Sequence, residues 1–175
     1  MGFRDVKRSK STKDTRVIAI INQKGGVGKS TTAVNLSAAL GEMNRKTLLV
    51  DFDPQGNSTS GLGVEKEGLE QCVYDALLND VPIEELIQDT ESKKVFVVPA
   101  TIQLAGAEVE LVSAMARETR LKEALEPIKD EFDFIFIDCP PSLGLLTINA
   151  LTAADSVLIP IQCEYYLSLI HISEP

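Results

Sequence analysis

Cysteine, histidine and long apolar runs are scarce in this chain of 175 residues. Its three cysteines, Cys72, Cys139 and Cys163, are odd in number and widely spaced, so we expect reduced cytosolic thiols rather than a disulfide framework. The single histidine, His171, lies near the C-terminus and is assigned no role. No apolar run has the length of a membrane span, and we expect no signal peptide. These absences favour neither a membrane protein nor a secreted one.

The charge of the chain is acidic and unevenly distributed. Asp and Glu number 26 against 17 Lys and Arg, which gives a formal net charge of −9. Residues 1–16 carry a net +4, and the remaining residues carry −13. An acidic body argues against broad nucleic-acid binding by this chain. Residues 1–16 lack periodic apolar residues and are predicted to be a basic, disordered arm, which is more often a solvated leader than a contact to DNA or acidic lipid.

The most informative stretch is glycine-rich and lies between a strand pattern and a helix pattern. Residues 17–21 read V-I-A-I-I, residues 22–32 read N-Q-K-G-G-V-G-K-S-T-T, and residues 33–40 are apolar at helical spacing. This context is the one expected of a phosphate-binding loop. The glycines let backbone N–H groups point inward, and the start of the helix favours negative charge. Lys29 is placed to reach the β- and γ-phosphates, and the Ser30 hydroxyl to ligate Mg²⁺.

The match to the pattern G-x-x-x-x-G-K-[ST] is incomplete. Gln23 stands where the first glycine belongs, and Lys24 adds a second lysine. A glycine turn that binds nothing is the alternative interpretation. The flanking strand and helix, together with the positions of Lys29 and Ser30, disfavour it.

Apolar runs of strand length alternate with helix patterns along the chain. Residues 55–63 form a long polar loop, and residues 102–129 fit one long or two shorter amphipathic helices. The pattern predicts an α/β fold with a mostly parallel sheet and helices on both faces. Further strands are predicted at 47–50, 95–98, 132–137 and 157–160, and further helices at 73–78, 83–87 and 144–151.

Three aspartates lie where predicted strands end. Asp51 and Asp53 follow the second strand, and Asp138 follows the fourth. Because ligands of parallel sheets bind at the carboxyl ends of the strands, we expect all three beside the phosphate loop. Asp138 has the Walker B pattern and is predicted to hold Mg²⁺ through a water. Asp53 is favoured over Asp51 for orienting the attacking water, since it lies further out. The alternatives are turn-forming roles for Asp138 and Asp53.

Five sequence blocks, taken in order, resemble the ParA/MinD family of P-loop ATPases, and within it the Soj-type partitioning ATPases. The resemblance implies that Lys24 is a signature lysine, which reaches the partner's phosphates in an ATP-sandwich homodimer. It also implies that Asp53 orients the water and that Asp51 is an outer metal group. The blocks are N-Q-K-G-G-V-G-K-S-T-T (22–32), V-D-F-D-P-Q-G-N-S-T-S-G-L-G (50–63), P-A-T-I-Q-L-A-G-A-E-V-E-L (99–111), I-D-C-P-P-S-L-G-L-L-T-I-N-A-L-T-A-A-D (137–155) and I-P-I-Q-C-E-Y-Y (159–166).

The resemblance thus implies three sets of site residues. The catalytic residues are Lys24, Lys29 and Asp53. The nucleotide-binding residues are Lys24, Gly25, Gly26, Val27, Gly28, Lys29, Ser30 and Thr31. The metal residues are Ser30, Asp138 and Asp51. Residues 53–60 and 138–142 are the two loops expected to respond to the γ-phosphate.

The function implied is that of a MgATP-binding and hydrolysing switch for chromosome or plasmid partitioning. Its implied partners are a second copy of itself, a ParB-type DNA-binding protein and non-specific DNA, with no membrane contact. The expected location is the cytoplasm, in association with the nucleoid.

The resemblance ends near Tyr166. We expect a P-loop ATPase domain at 17–166 and a non-family tail at 167–175, because the family continues into a helix where this chain reads L-S-L-I-H-I-S-E-P. The C-terminal part of the fold, including its adenine-contacting segment, is then expected to be missing, and ATP turnover and DNA binding by these 175 residues are expected to be weak.

Three alternatives stay open. A Min-type division-site ATPase shares the loop but would end in a basic amphipathic membrane helix. A nitrogenase iron-protein-like reductase would place paired cysteines for a shared iron–sulfur cluster. The third alternative is a folded but catalytically inactive nucleotide-binding fragment.

Overall fold

A six-stranded sheet forms the centre of the fold, which a computed structural model describes for residues 15–161. The strands are β1 (Arg16–Ile20), β2 (Thr47–Asp51), β3 (Gln88–Asp89), β4 (Val95–Val98), β5 (Phe134–Asp138) and β6 (Ser156–Leu158). Their order across the sheet is β3-β4-β2-β5-β1-β6. All neighbouring pairs are parallel except β3 and β4. The predicted mostly parallel α/β sheet is confirmed.

Seven α-helices lie in the described part of the chain. They are α1 (Lys29–Glu42), α2 (Asn57–Gly61), α3 (Val73–Leu78), α4 (Ile83–Leu86), α5 (Leu104–Glu110), α6 (Arg120–Leu125) and α7 (Leu145–Ala153). Two 3₁₀ segments, Leu111–Ser113 and Glu126–Glu131, adjoin α5 and α6. Between residues 15 and 161, no helix has the length and apolarity needed to cross a membrane.

Both faces of the sheet are covered by apolar contacts. Along β2, Leu48 and Val50 belong to the larger core, which includes residues of α3 to α7, whereas Leu49 belongs to the smaller core with Ala33 of α1. Side chains alternate between faces along a strand. A strand buried on both faces therefore reads as a continuous apolar run, which is why the strand patterns in the sequence were strong.

The register of the sheet brings three strand ends together. Strand β5 lies between β1 and β2, and Asp138 is in register with Ile20 on one side and Asp51 on the other. The loops that follow these strands consequently start side by side. This arrangement confirms the prediction that the phosphate loop and the aspartates share one edge of the sheet.

The structure differs from the predicted elements in two places and decides between two predicted forms in a third. Helix α2 lies inside the predicted loop 55–63, and the two-residue strand β3 was not predicted. The region 102–129 forms two shorter helices, α5 and α6, which is one of its two predicted forms; the chain leaves helical structure after Ser113, and Ala116 adopts a positive φ of 53°. Helical periodicity gives no sign of such a break, because the apolar residues on both sides of it still reach the core.

Order begins within the predicted arm. Strand β1 starts at Arg16, and the buried Thr15 hydroxyl donates hydrogen bonds to the carbonyls of Lys129 and Phe132 at 2.6 and 2.7 Å. The prediction of disorder is therefore corrected at positions 15 and 16, because a tertiary contact holds them. The rest of the arm, the tail at 167–175, Cys163 and His171 lie outside the described residues.

Candidate functional site

The loop between β1 and α1 has the backbone conformation of an anion cradle. Gly26 and Gly28 have φ values of 74° and 84°, a region that glycine enters without strain. A Cβ added at either residue, or at Gly25, would meet no atom within 4 Å, so the loop surface is open to a ligand. Helix α1 begins directly after Gly28 without a side-chain cap. Its first N–H groups are therefore available to an anion.

A cavity of about 420 Å³ lies in front of this loop. It joins the phosphate loop to the loops that follow β2 and β5, as the register of the strands requires. The lining residues are Gly25, Gly26, Gly28, Lys29, Ser30, Thr31, Asp53, Gln55, Asn57 and Pro141. Seven of these ten belong to the sequence-predicted site; Gln55, Asn57 and Pro141 were not singled out as site residues.

The two lysines of the loop occupy different environments. Lys29, the first residue of α1, is 7% exposed and lines the cavity. Lys24 is exposed on the loop and is not among the residues that line the cavity. Val27 is buried in the protein, so any contact it makes to a ligand would use its backbone. Only Lys29 is placed against the cavity of its own chain.

Asp138 has a buried carboxylate whose two oxygens differ. Its Oδ2 accepts a hydrogen bond from the Ser58 hydroxyl at 2.6 Å, whereas Oδ1 is buried and has no partner of good geometry within residues 15–161. Burial raises the pKa of this carboxyl, although the Ser30 and Ser58 hydroxyls and the Lys29 ammonium act in the opposite direction. An unpaired buried carboxylate oxygen is costly. A divalent cation beside Ser30 would remove that cost, so Ser30 and Asp138 fit Mg²⁺.

Asp51 is equally buried but fully engaged. Its Oδ2 accepts hydrogen bonds from the backbone N–H and the hydroxyl of Thr59, both at 2.7 Å. Its Oδ1 accepts one from the backbone N–H of Asp53 at 3.2 Å. Burial raises the pKa of Asp51 to about 7, and the Thr59 hydrogen bond opposes that rise. These contacts fasten α2 to the end of β2, while a metal role for Asp51 stays a prediction.

Asp53 is the aspartate that faces the cavity. It is 7% exposed, and its Oδ1 accepts a hydrogen bond from the backbone N–H of Gln55 at 2.9 Å. Gly56 closes the same turn with a φ of 63°. A Cβ there would overlap the Lys66 side chain and the carbonyl of Ala100, so the turn requires glycine. The turn thereby holds Asp53 at the cavity wall, where its proposed partner would be a water.

Two residues that sequence reasoning did not single out connect these loops. Ser58 bonds Asp138, while the Thr59 hydroxyl bonds Asp51 and accepts a hydrogen bond from the backbone N–H of Ala100 at 3.0 Å. The polar run Asn57-Ser58-Thr59 was visible in the sequence, but nothing in it specified a helix pointing at both carboxylates. Within residues 15–161, no group of three or more His, Cys, Asp or Glu side chains forms a metal cluster by itself.

Known proteins show the family to which this chain belongs. A family model described as an AAA domain, AAA_31, matches residues 15–171. The sporulation initiation inhibitor protein Soj of Bacillus subtilis is 64% identical over 151 residues, which are 86% of this chain and 60% of that protein. The chromosome partitioning protein ParA of Myxococcus xanthus is 63% identical over the same length, covering 86% of this chain and 53% of that protein.

Solved structures share the fold. Cobyrinic acid a,c-diamide synthase from Mycobacterium smegmatis, with a bound ATP analogue and magnesium, has a TM-score of 0.83 at 49% identity, covering 86% of this chain and 61% of that chain. A plasmid partition protein from Borrelia burgdorferi has a TM-score of 0.78 at 31% identity, covering 88% of this chain and 68% of that chain.

The chain spans 60% or less of the length of the two curated relatives named above. The family model's match at residues 15–171 includes the phosphate loop, both aspartate-bearing strand ends and the helices between them. The predicted resemblance is confirmed: this chain belongs to the AAA_31 family of AAA domains, in the ParA/MinD group that contains Soj and the ParA partitioning proteins.

Proposed function

We propose that this protein is a MgATP-binding and hydrolysing molecular switch in chromosome or plasmid partitioning. The observation that carries the proposal is the cavity that unites an open glycine loop, a buried lysine and three strand ends, next to an unpaired oxygen of Asp138. The relatives named for partitioning support the cellular role. The neighbour solved with an ATP analogue and magnesium supports the choice of ligands.

The phosphates of ATP are assigned to residues 24–31. Backbone N–H groups of the glycine loop and the start of α1 supply donors for phosphate oxygens. Lys29 supplies the positive charge for the β- and γ-phosphates, since it is the lysine that lines the cavity.

Mg²⁺ is assigned to the Ser30 hydroxyl and, through a water, to Asp138. Bound Mg²⁺ neutralises charge on the β- and γ-phosphate oxygens. Asp51 acts around this site by holding α2, whose Ser58 hydroxyl orients the Asp138 carboxylate.

Asp53 is assigned the attacking water. Its carboxylate lies at the cavity wall, and one oxygen is already fixed by the backbone of Gln55. The other oxygen is the group that would hold the water in line with the γ-phosphate.

Lys24 is assigned to a second copy of the protein. It lies exposed on the loop and outside the cavity of its own chain, where it could approach the phosphates of a facing protomer. ATP-dependent dimers, a ParB-type protein and non-specific DNA are the proposed partners, and the proposed location is the nucleoid in the cytoplasm. The names of the Soj and ParA relatives support these partners only through the partitioning process.

Calorimetry of Lys29→Ala tests the nucleotide assignment. We expect MgATP affinity to fall at least tenfold, because a charge-assisted contact of about 1.5–3 kcal/mol is lost. Lys122→Ala is the matched control, since Lys122 is exposed on α6. Parental ATP affinity in Lys29→Ala would contradict the assignment.

A second candidate activity comes from the name of the Mycobacterium smegmatis neighbour, an amide synthase. Phosphate release with ATP as the only added substrate would favour the switch over the synthase, because a switch needs only water as the acceptor of the phosphoryl group. Turnover that requires both a carboxylic acid and an amide-nitrogen donor would favour the synthase and contradict the switch.

A further inference from the structure

Glu108 on α5 reaches across to the start of α7. Its Oε2 accepts a hydrogen bond from the backbone N–H of Leu145 at 3.0 Å, and its Oε1 accepts one from Leu146 at 3.3 Å. The two bonded residues are the first two of α7 and lie 37 and 38 positions further along the chain. A carboxylate at this place satisfies free helix N–H groups and complements the helix dipole.

Gly144 leaves room for this contact. Its backbone is extended, with a φ of −88°, so the position needs no glycine for conformational reasons. A Cβ added to it would overlap the Glu108 carboxylate. The absence of a side chain at Gly144 therefore permits the close approach of Glu108.

The contact fixes one end of the loop 139–144. The other end is fixed by Asp138 at the end of β5, and the Thr147 hydroxyl donates to the carbonyl of Ser142 at 2.6 Å from within α7. Pro141 of this loop lines the cavity together with Lys29 and Ser30. Any shift at the start of α7 would consequently move the cavity wall that follows Asp138.

We propose that Glu108 is a positioning residue, whose carboxylate holds the start of α7 and thereby sets the loop 139–144 for ATP turnover. The proposal deepens the proposed function and rests on it. Glu108 does not touch the cavity, so its effect on turnover passes through the loop. Nucleotide affinity, which depends on the glycine loop and Lys29, is expected to be independent of it.

The test compares Glu108→Ala with Glu110→Ala in the 175-residue chain. Glu110 lies on the same helix but accepts a hydrogen bond from the exposed Tyr74 hydroxyl, so it matches the charge change without the contact to α7. In Glu108→Ala we expect ATP turnover to fall about tenfold, ATP affinity to stay within twofold, and hydrogen exchange at Leu145 and Leu146 to accelerate about tenfold. Glu108→Gln should lie between, since it keeps one acceptor oxygen.

A double-mutant cycle with Gly144→Ala makes the test specific. The added Cβ should displace the carboxylate and lower turnover like Glu108→Ala, while the double variant should be no worse than either single one. If Glu108→Ala does not fold, Glu108→Gln and Gly144→Ala carry the same comparison.

The proposal is overturned by parental turnover in Glu108→Ala, by an equal loss in Glu110→Ala, or by additive losses in the cycle. A parental chain that does not bind MgATP would instead contradict the proposed function, whereas binding with turnover too weak to measure is the expectation for these 175 residues. Hydrogen exchange then decides the positioning role by itself: faster exchange at Leu145 and Leu146 in Glu108→Ala supports it, and unchanged exchange overturns it.

Discussion

The two aspartates that end β2 and β5 lie in register, yet the hydrogen bonds to their carboxylates differ. Asp51 accepts hydrogen bonds from three donors, whereas Asp138 accepts one of good geometry, and its Oδ1 has no such partner within residues 15–161 although the Ser30 hydroxyl lies nearby. Burial raises the pKa of both carboxyls. A buried carboxylate with all its hydrogen bonds made serves the fold. A buried carboxylate with an unpaired oxygen lowers stability. Such a cost is expected where a bound ligand supplies the missing contact.

The loops around these residues show the same contrast. The turn after β2 is held from both sides, by Asp51 through Thr59 and by the Lys66 ammonium, which donates to the carbonyl of Gln55 at 2.8 Å. The glycine loop at residues 25–28 faces open space instead. Hydrogen bonds within the protein therefore hold Asp53 in place, whereas the glycine loop stays open to a ligand.

Replacing Asp51 by alanine should produce the largest loss of stability. Two donors of Thr59 and the N–H of Asp53 would lose their acceptor in a fully buried place. We expect the free energy of unfolding to fall by about 3 kcal/mol. Urea denaturation without nucleotide measures it. A loss no greater than that of an exposed substitution such as Asp130→Ala would contradict the structural role of Asp51.

Replacing Asp138 by asparagine should act on the ligand instead. The substitution removes a buried charge but keeps an oxygen that can accept the Ser58 hydrogen bond, so unliganded stability should hardly change. The factor by which Mg²⁺ increases ATP affinity should then be about 10 to 100 times smaller than in the parental chain. Calorimetric titrations with and without Mg²⁺ measure this effect, and an unchanged Mg²⁺ dependence would remove Asp138 from the site.

The sequence predicted the sheet and the phosphate loop well because these features are local. An apolar run buried on both faces and a glycine loop before a helix are readable without knowledge of tertiary contacts. The predicted convergence of Asp53, Asp138 and Lys29 followed from one topological rule about parallel sheets. The register of β1, β2 and β5 shows that the ends of these strands lie side by side, as the rule predicts.

What the sequence could not specify depends on contacts between distant residues. Ser58 meets Asp138 across 80 positions and Glu108 meets Leu145 across 37, and no periodicity records either pair. The pairing of Asp51 with Thr59 also turned a predicted loop into helix α2. The roles predicted for all the site residues, including Lys24, Lys29, Ser30, Asp51, Asp53 and Asp138, stay predictions, since they concern ligands and partners.

Asp51 should make the stability of the folded protein depend on pH. The pKa of Asp51 is raised from 3.8 to about 7 in the folded protein, so its protonated form is favoured by folding. Stability from this group is fully present below pH 3.8 and is lost as pH rises through 7, with a slope of at most about 1.4 kcal/mol per pH unit.

Asp51→Asn should flatten the unfolding free energy between pH 4.5 and 6.5 relative to the parental chain. Asp138 remains in both proteins, but its charge also raises the pKa of Asp51, so the difference between the slopes reports Asp51 together with its coupling to Asp138. Urea denaturation at a series of pH values without nucleotide measures the two slopes. Identical slopes would show that Asp51 is ionised across this range.

The smallest expected effect belongs to Ser58→Ala. The hydroxyl makes one buried hydrogen bond, to Oδ2 of Asp138, so its removal should cost about 1 kcal/mol of unfolding free energy. Ser60→Ala, at an exposed position of the same helix, is the control. Saturating MgATP should shrink the difference between the two variants, because a bound cation would stabilise the carboxylate that Ser58, together with Ser30 and Lys29, otherwise supports. A difference that stays the same with and without MgATP would mean that Asp138 is completed by the protein and not by its ligand.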